Sequence, residues 1–151
     1  PELSQLIGIE NITLGSNTTS LTFGNETFTN LGLDTLTITS TTTDNVTTID
    51  GSAVSNGAFL IIDNGSNVNA DSFTGGSGDD TFRFDGTTHL ATNDTIAGGA
   101  GTDTIQLEND AAVTAVLNFN VVTGIEKVEI YTSIKTVDEA SLYFWPLRLA
   151  R

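Results

Sequence analysis

The chain of 151 residues contains no cysteine and no methionine, a single histidine, and only five lysines and arginines against nineteen acidic side chains. Without cysteine there are no disulfides, no thiol catalysis and no thiolate metal sites. His89, the lone histidine, falls at a degenerate turn position, and no G-x-S-x-G, H-E-x-x-H or P-loop pattern occurs, so no enzymatic role is expected. The formal charge is −14, and no lysine or arginine precedes Arg83. Nucleic acid and anionic membrane surfaces, which are bound through basic patches, are therefore disfavoured as partners. No apolar run of about 18 residues is present, which argues against membrane insertion, and no signal peptide is seen. A chain that begins with proline and lacks methionine is expected to be a piece of a longer product.

Glycine and aspartate stand out against these absences. Gly75-Gly76-Ser77-Gly78-Asp79-Asp80-Thr81-Phe82-Arg83 and Gly98-Gly99-Ala100-Gly101-Thr102-Asp103-Thr104-Ile105-Gln106 obey one nine-residue rule, G-G-x-G-x-D-x-U-x, with U a large apolar residue. The glycines admit positive φ and turn carbonyls toward one point. Carbonyl and carboxylate oxygens are the hard ligands that Ca²⁺ prefers. The closing x-U-x is a minimal strand with one side chain directed inward.

On these residues the chain resembles the RTX (repeats-in-toxin) calcium-binding family, whose nonapeptides build a parallel β-roll. The resemblance implies Ca²⁺ held between two turns stacked on the same edge of the roll. It marks Gly75, Gly76, Gly78 and Asp80 with Gly98, Gly99, Gly101 and Asp103 as the candidate metal site. Residues 66–74 and 89–97 are weaker copies that keep Asp71 before Phe73 and Asp94 before Ile96. If sides alternate, Asp80 shares an edge with Asp103, and Asp71 shares the other edge with Asp94. The second pair lacks the glycines and is expected to form a weak or empty site. Phe73, Phe82, Ile96 and Ile105 should point into the roll, with Phe84 to Thr88 inserted between repeats.

Upstream, from Leu6 to Asp63, threonine alternates with apolar residues, as in Thr35-Leu36-Thr37-Ile38-Thr39, and glycines interrupt at intervals near ten residues. This period of two predicts short strands, with helical spacing nowhere in this half. Two all-β architectures fit: a parallel β-roll or β-solenoid running through the whole chain, which we favour, or an antiparallel sandwich followed by a short β-roll. The reading divides the chain into a Thr-rich strand region (1–65), the calcium-binding roll (66–107), closing strands (108–135) and a C-terminal cap or tail (136–151), forming one continuous domain. In the tail, Thr136 to Glu139 has the form of a capping box ahead of Tyr143-Phe144-Trp145. Gly8-Ile9-Glu10-Asn11-Ile12 near the start recurs as Gly124-Ile125-Glu126-Lys127-Val128. That repeat predicts head-to-tail self-association.

The body resembles the strand repeats of RTX surface-layer and adhesin proteins. The resemblance implies a secreted, extracellular or cell-surface structural module that takes up Ca²⁺, self-assembles and leaves the cell by type I secretion. Two alternatives stand beside it, a glycan- or ice-binding module and the calcium-dependent tail of a secreted hydrolase or toxin. The acidity agrees with bound cations, which relieve self-repulsion in a compact chain.

Overall fold

The computed structural model describes residues 8–15, 19–32, 34–41, 46–63, 69–85, 93–108 and 122–131. The alternating segments form β1 (Asn11–Leu14), β2 (Thr19–Thr22), β3 (Thr35–Ser40), β4 (Thr47–Asp50), β5 (Ala58–Asp63), β6 (Ser72–Thr74), β7 (Thr81–Asp85), β8 (Thr95–Ala97), β9 (Thr104–Glu108), β10 (Val122–Thr123) and β11 (Lys127–Ile130). Among the described residues no two successive strands pair. The odd-numbered strands make a six-stranded sheet in chain order, the even-numbered ones a five-stranded sheet, and every pairing among the described residues is parallel. The chain is thus a parallel β-solenoid, crossing from one sheet to the other at each half-turn. The antiparallel sandwich is not formed. The odd sheet runs unbroken from β5 to β7, so the Thr-rich region and the glycine-rich repeats share one stack.

Period two dictates what fills the interior. On the odd sheet Ile12, Ile38, Ile61, Phe82, Ile105 and Val128 lie in register as one apolar ladder. Leu21, Ile49, Phe73, Ile96 and Val122 make the matching ladder on the even sheet. The four residues expected inside, Phe73, Phe82, Ile96 and Ile105, are each 0% exposed. Thr81 and Arg83 lie half-buried on the outer face, where the Arg83 guanidinium sits 3.6 Å from Glu108. Phe84 and Asp85 do not begin an insertion: they extend β7, and Phe84 is buried opposite Leu107 in the next coil.

One element departs from the sequence reading. A six-residue helix, α1 (Glu26–Leu31), lies in the half where helical spacing was not expected. It is too short to establish a periodicity, and its stop signal is local: Gly32, at φ 66°, donates its N–H to the Phe28 carbonyl at 2.9 Å. Of the closing strands expected over 108–135, residues 109–121 and 132–135 lie outside the described residues, as do the repeat positions 66–68, His89 and the segment 136–151.

Candidate metal centre

Among the described residues five turns carry the chain from the even sheet to the odd one, between β2 and β3, β4 and β5, β6 and β7, β8 and β9, and β10 and β11, and they stack along one edge. The two nine-residue matches supply the third and fourth. Asp80 and Asp103 are the last residues before β7 and β9. Asp71 and Asp94 hold the same place before β6 and β8, on the opposite edge. The structure therefore brings Asp80 together with Asp103 and Asp71 together with Asp94, through bonds from carboxylate to backbone.

All four aspartates are at most 2% exposed. Where a turn leaves the ladder, the backbone N–H at the mouth of the strand loses its strand partner, and a buried unpaired donor is costly. The aspartate one coil further on supplies the acceptor. Asp80 Oδ1 accepts the Phe59 N–H at 2.7 Å, Asp103 Oδ1 accepts the Asp80 N–H at 2.8 Å, and Glu126 Oε2 accepts the Asp103 N–H at 2.8 Å. On the opposite edge Asp71 Oδ1 takes the Thr47 N–H at 2.7 Å, and Asp94 Oδ1 takes the Asp71 N–H at 2.9 Å. Asp79 adds a surface bond of the same kind, from the Thr102 N–H at 2.8 Å. Asp103 thus reaches Asp80 at its backbone N–H.

The second oxygens differ between the two glycine-rich turns. Asp80 Oδ2 accepts the N–H of Gly76 in its own turn at 2.7 Å, whereas Asp103 Oδ2 is buried without a hydrogen-bond partner. The backbone differs in step. Gly99 and Gly101 have φ of 112° and 124°, values that side chains resist, while Gly75, Gly76, Gly78 and Gly98 stay out of the positive region. For those four, the need for glycine is close approach rather than φ. A Cβ on Gly75 would collide with both Asp80 Oδ2 and the Gly98 carbonyl oxygen, and one on Gly78 with the Gly57 carbonyl.

Burial of so much negative charge is visible in proton affinity. Burial raises the Asp80 carboxyl above its usual range, against the hydrogen bonds from Phe59 and Gly76 and with the nearby Asp79 charge. Asp103 is pushed up to about 6, first by burial and then by the charges of Asp80, Glu126 and Asp79, against the bond from the Asp80 N–H. A cation at this edge would reverse those shifts.

Among the described residues no three His, Cys, Asp or Glu side chains converge on a common metal position. A centre here must draw most of its ligands from main-chain carbonyls, which suits a hard cation such as Ca²⁺ and not a soft one. The convergence of Asp80 Oδ2 and the Gly98 carbonyl oxygen on the Gly75 α-carbon brings together oxygens of that kind. Glu126, not among the candidate metal ligands read from the sequence, stands on the same ladder as Asp80 and Asp103. Its signal was the Gly-Ile-Glu repeat, which places a carboxylate immediately before a strand. Comparison of the chain with protein-family models, with curated proteins and with solved structures finds no match.

Proposed function

We propose that this chain is a calcium-binding structural module of a secreted surface, adhesin or extracellular fibre protein. The observation that carries the reading is the convergence of two hard oxygens at Gly75, where the buried Asp80 Oδ2 and the Gly98 main-chain carbonyl oxygen both approach an α-carbon that has no room for a Cβ. Asp80 and the Gly98 carbonyl would hold the ion, with further carbonyls of turns 75–80 and 98–103 and water completing its shell. The bound ion would supply positive charge to an edge of stacked carboxylates in a chain of formal charge −14. In a molecule without cysteine, it would serve as the staple that disulfides provide elsewhere. Millimolar calcium outside cells is enough to fill sites of modest affinity. The glycan- or ice-binding alternative has its own support in the outer face of the even sheet, where Ser20, Thr48, Ser72 and Thr95 align in one column of small hydroxyl side chains.

Head-to-tail association belongs to the same reading. The two copies of Gly-Ile-Glu precede β1 and β11, the outermost strands of the odd sheet, and their glycines share a left-handed conformation, at φ 71° and 61°. Calorimetric titration with CaCl₂ tests the core of the proposal. Binding by the parent chain that is weakened in Asp80→Asn supports it. A parent chain that takes up no calcium at millimolar concentration contradicts it.

A further inference from the structure

Resting on the head-to-tail reading, we propose that β11 of one copy pairs with β1 of the next in one register, from Lys127 opposite Asn11 to Ile130 opposite Leu14. Glu10 sets that register by accepting the Glu126 N–H of the neighbouring copy.

The first observation is a column of carboxylates that reach backward. Glu10, Leu36, Phe59, Asp80, Asp103 and Glu126 occupy the place just before the odd-sheet ladder, one per coil. Asp80 accepts the N–H of Phe59, Asp103 that of Asp80, and Glu126 that of Asp103, so each carboxylate serves the coil before its own. Glu10 is exposed and precedes β1, the outermost strand, and the same reach carries its carboxylate off the end of the stack. At the opposite end, no coil among the described residues follows β11 to hand a carboxylate to the Glu126 N–H. That N–H shares the Asp103 carbonyl with the Lys127 N–H, both at 3.1 Å, whereas one coil earlier the Thr104 N–H takes the Asp80 carbonyl at 2.8 Å. One end therefore offers a charged acceptor and the other a poorly paired donor, the two halves of a charge-assisted hydrogen bond.

A second, independent observation comes from the interior. Phe82, Ile105 and Val128 form one apolar column, and Phe84, Leu107 and Ile130 form another. The first two members of each column are at most 5% exposed, yet Val128 is half-buried and Ile130 is 40% exposed. Both columns stop at an open strand edge, which is a template for another strand. Placing Glu10 beside Glu126 sets Ile12, itself half-buried, next to Val128, and Leu14 next to Ile130. The carboxylate column and both apolar columns thus continue in a single register. A slip of one residue would turn the apolar side chains to the outer face.

The contact joins two different surfaces, so it can be broken at either end and restored by mixing. Light scattering in millimolar calcium reads the molar mass of the full chain, of Ile130→Lys, of Ile12→Lys and of their equimolar mixture, with circular dichroism checking each fold. The parent should grow in mass with concentration, each variant should stay monomeric, and the mixture should form dimers and nothing larger. Glu10→Ala should associate about tenfold more weakly than the parent, and Glu10→Gln, which keeps an acceptor oxygen, should recover part of that loss. Glu10 and Ile130 are exposed, so these variants keep the fold even if Ile12→Lys does not. Parent-like association in Glu10→Ala or in Ile130→Lys overturns the register, and a mixture of folded variants that restores dimers then still upholds head-to-tail contact. A mixture of folded variants that stays monomeric while the parent associates overturns both. A parent that is monomeric at every concentration also overturns both, and leaves calcium uptake to be decided by calorimetry.

Discussion

One edge of this solenoid is closed in two different ways. In its upstream half, the turns at 23–34 and 51–57 are sealed by rings: Phe23 and Phe59 lie 5.3 Å apart, Phe28 and Phe59 5.1 Å apart edge to face, and all three are buried. In the downstream half, the turns at 75–80 and 98–103 contain glycines and buried carboxylates. The change falls within one column of the stack. Leu36 and Phe59 occupy the position before the odd-sheet ladder that Asp80, Asp103 and Glu126 occupy further on. The Asp80 carboxylate, bonded to the Phe59 N–H, is the joint between the two regimes. An apolar seal needs nothing from solution, whereas a stack of buried carboxylates repels itself and gains from a cation.

The largest expected effect follows directly. Excess chelator should melt the downstream coils, β6 to β9, and leave the upstream seal in place, giving a two-step thermal transition by circular dichroism where calcium gives one. Superimposable melts with and without chelator contradict the division.

Phe59→Ala and Phe82→Ala sharpen the comparison. Each residue is at most 1% exposed, so each substitution should cost about 3–5 kcal/mol. The Phe59 loss should be the same in calcium and in chelator, while Phe82→Ala should be partly compensated by calcium because it weakens the coils proposed to bind the ion. Equal calcium rescue of both variants, measured by urea unfolding, would remove the distinction.

Proton binding gives an effect of intermediate size with a definite sign. Folded Asp103 holds its proton up to about pH 6 against a usual value of 3.8, so between those limits the folded chain binds more protons than the unfolded one. Without calcium, stability should therefore rise as pH is lowered from 7 to 5. With calcium the slope should invert, because the ion needs the ionised carboxylate and acid displaces it. Melting temperatures across this range, measured with and without calcium, test the inversion, and parallel slopes count against metal at Asp103.

The smallest effect separates the edges. Asp71 caps the Thr47 N–H but has no glycine-rich turn like that at Gly75, so Asp71→Asn should lower stability and leave calcium affinity close to that of the parent. Asp80→Asn should lower both. Equal losses of affinity in the two variants would place the ion elsewhere.

The solenoid and its interior were legible in the sequence because period two is a property of single strands: Phe73, Phe82, Ile96 and Ile105 alternate with polar neighbours and are buried accordingly. The grouping of Asp80 with Asp103 was legible from the repeat. The bonds the aspartates make were not, since each ends on a backbone N–H a full coil away, and a main-chain donor leaves no trace in residue identity. The aromatic seal escaped for a related reason. Phe59 and Asp80 share a column only because β5 and β7 are offset differently from β7 and β9, and this offset is set by turn lengths that vary from coil to coil. The glycines were recognised but given the wrong reason at Gly75, Gly76, Gly78 and Gly98, where what matters is the oxygen beside them.

Hydrogen exchange resolved along the chain, in calcium and in excess chelator, tests the division of the edge most directly. Amides of β3 to β5 should keep their protection in both conditions, while those of β7 and β9 should lose most of theirs in chelator and regain it when calcium is returned. Uniform protection in both conditions, or loss that spreads equally across β3 to β9, would contradict an ion-dependent half joined to a self-sufficient one.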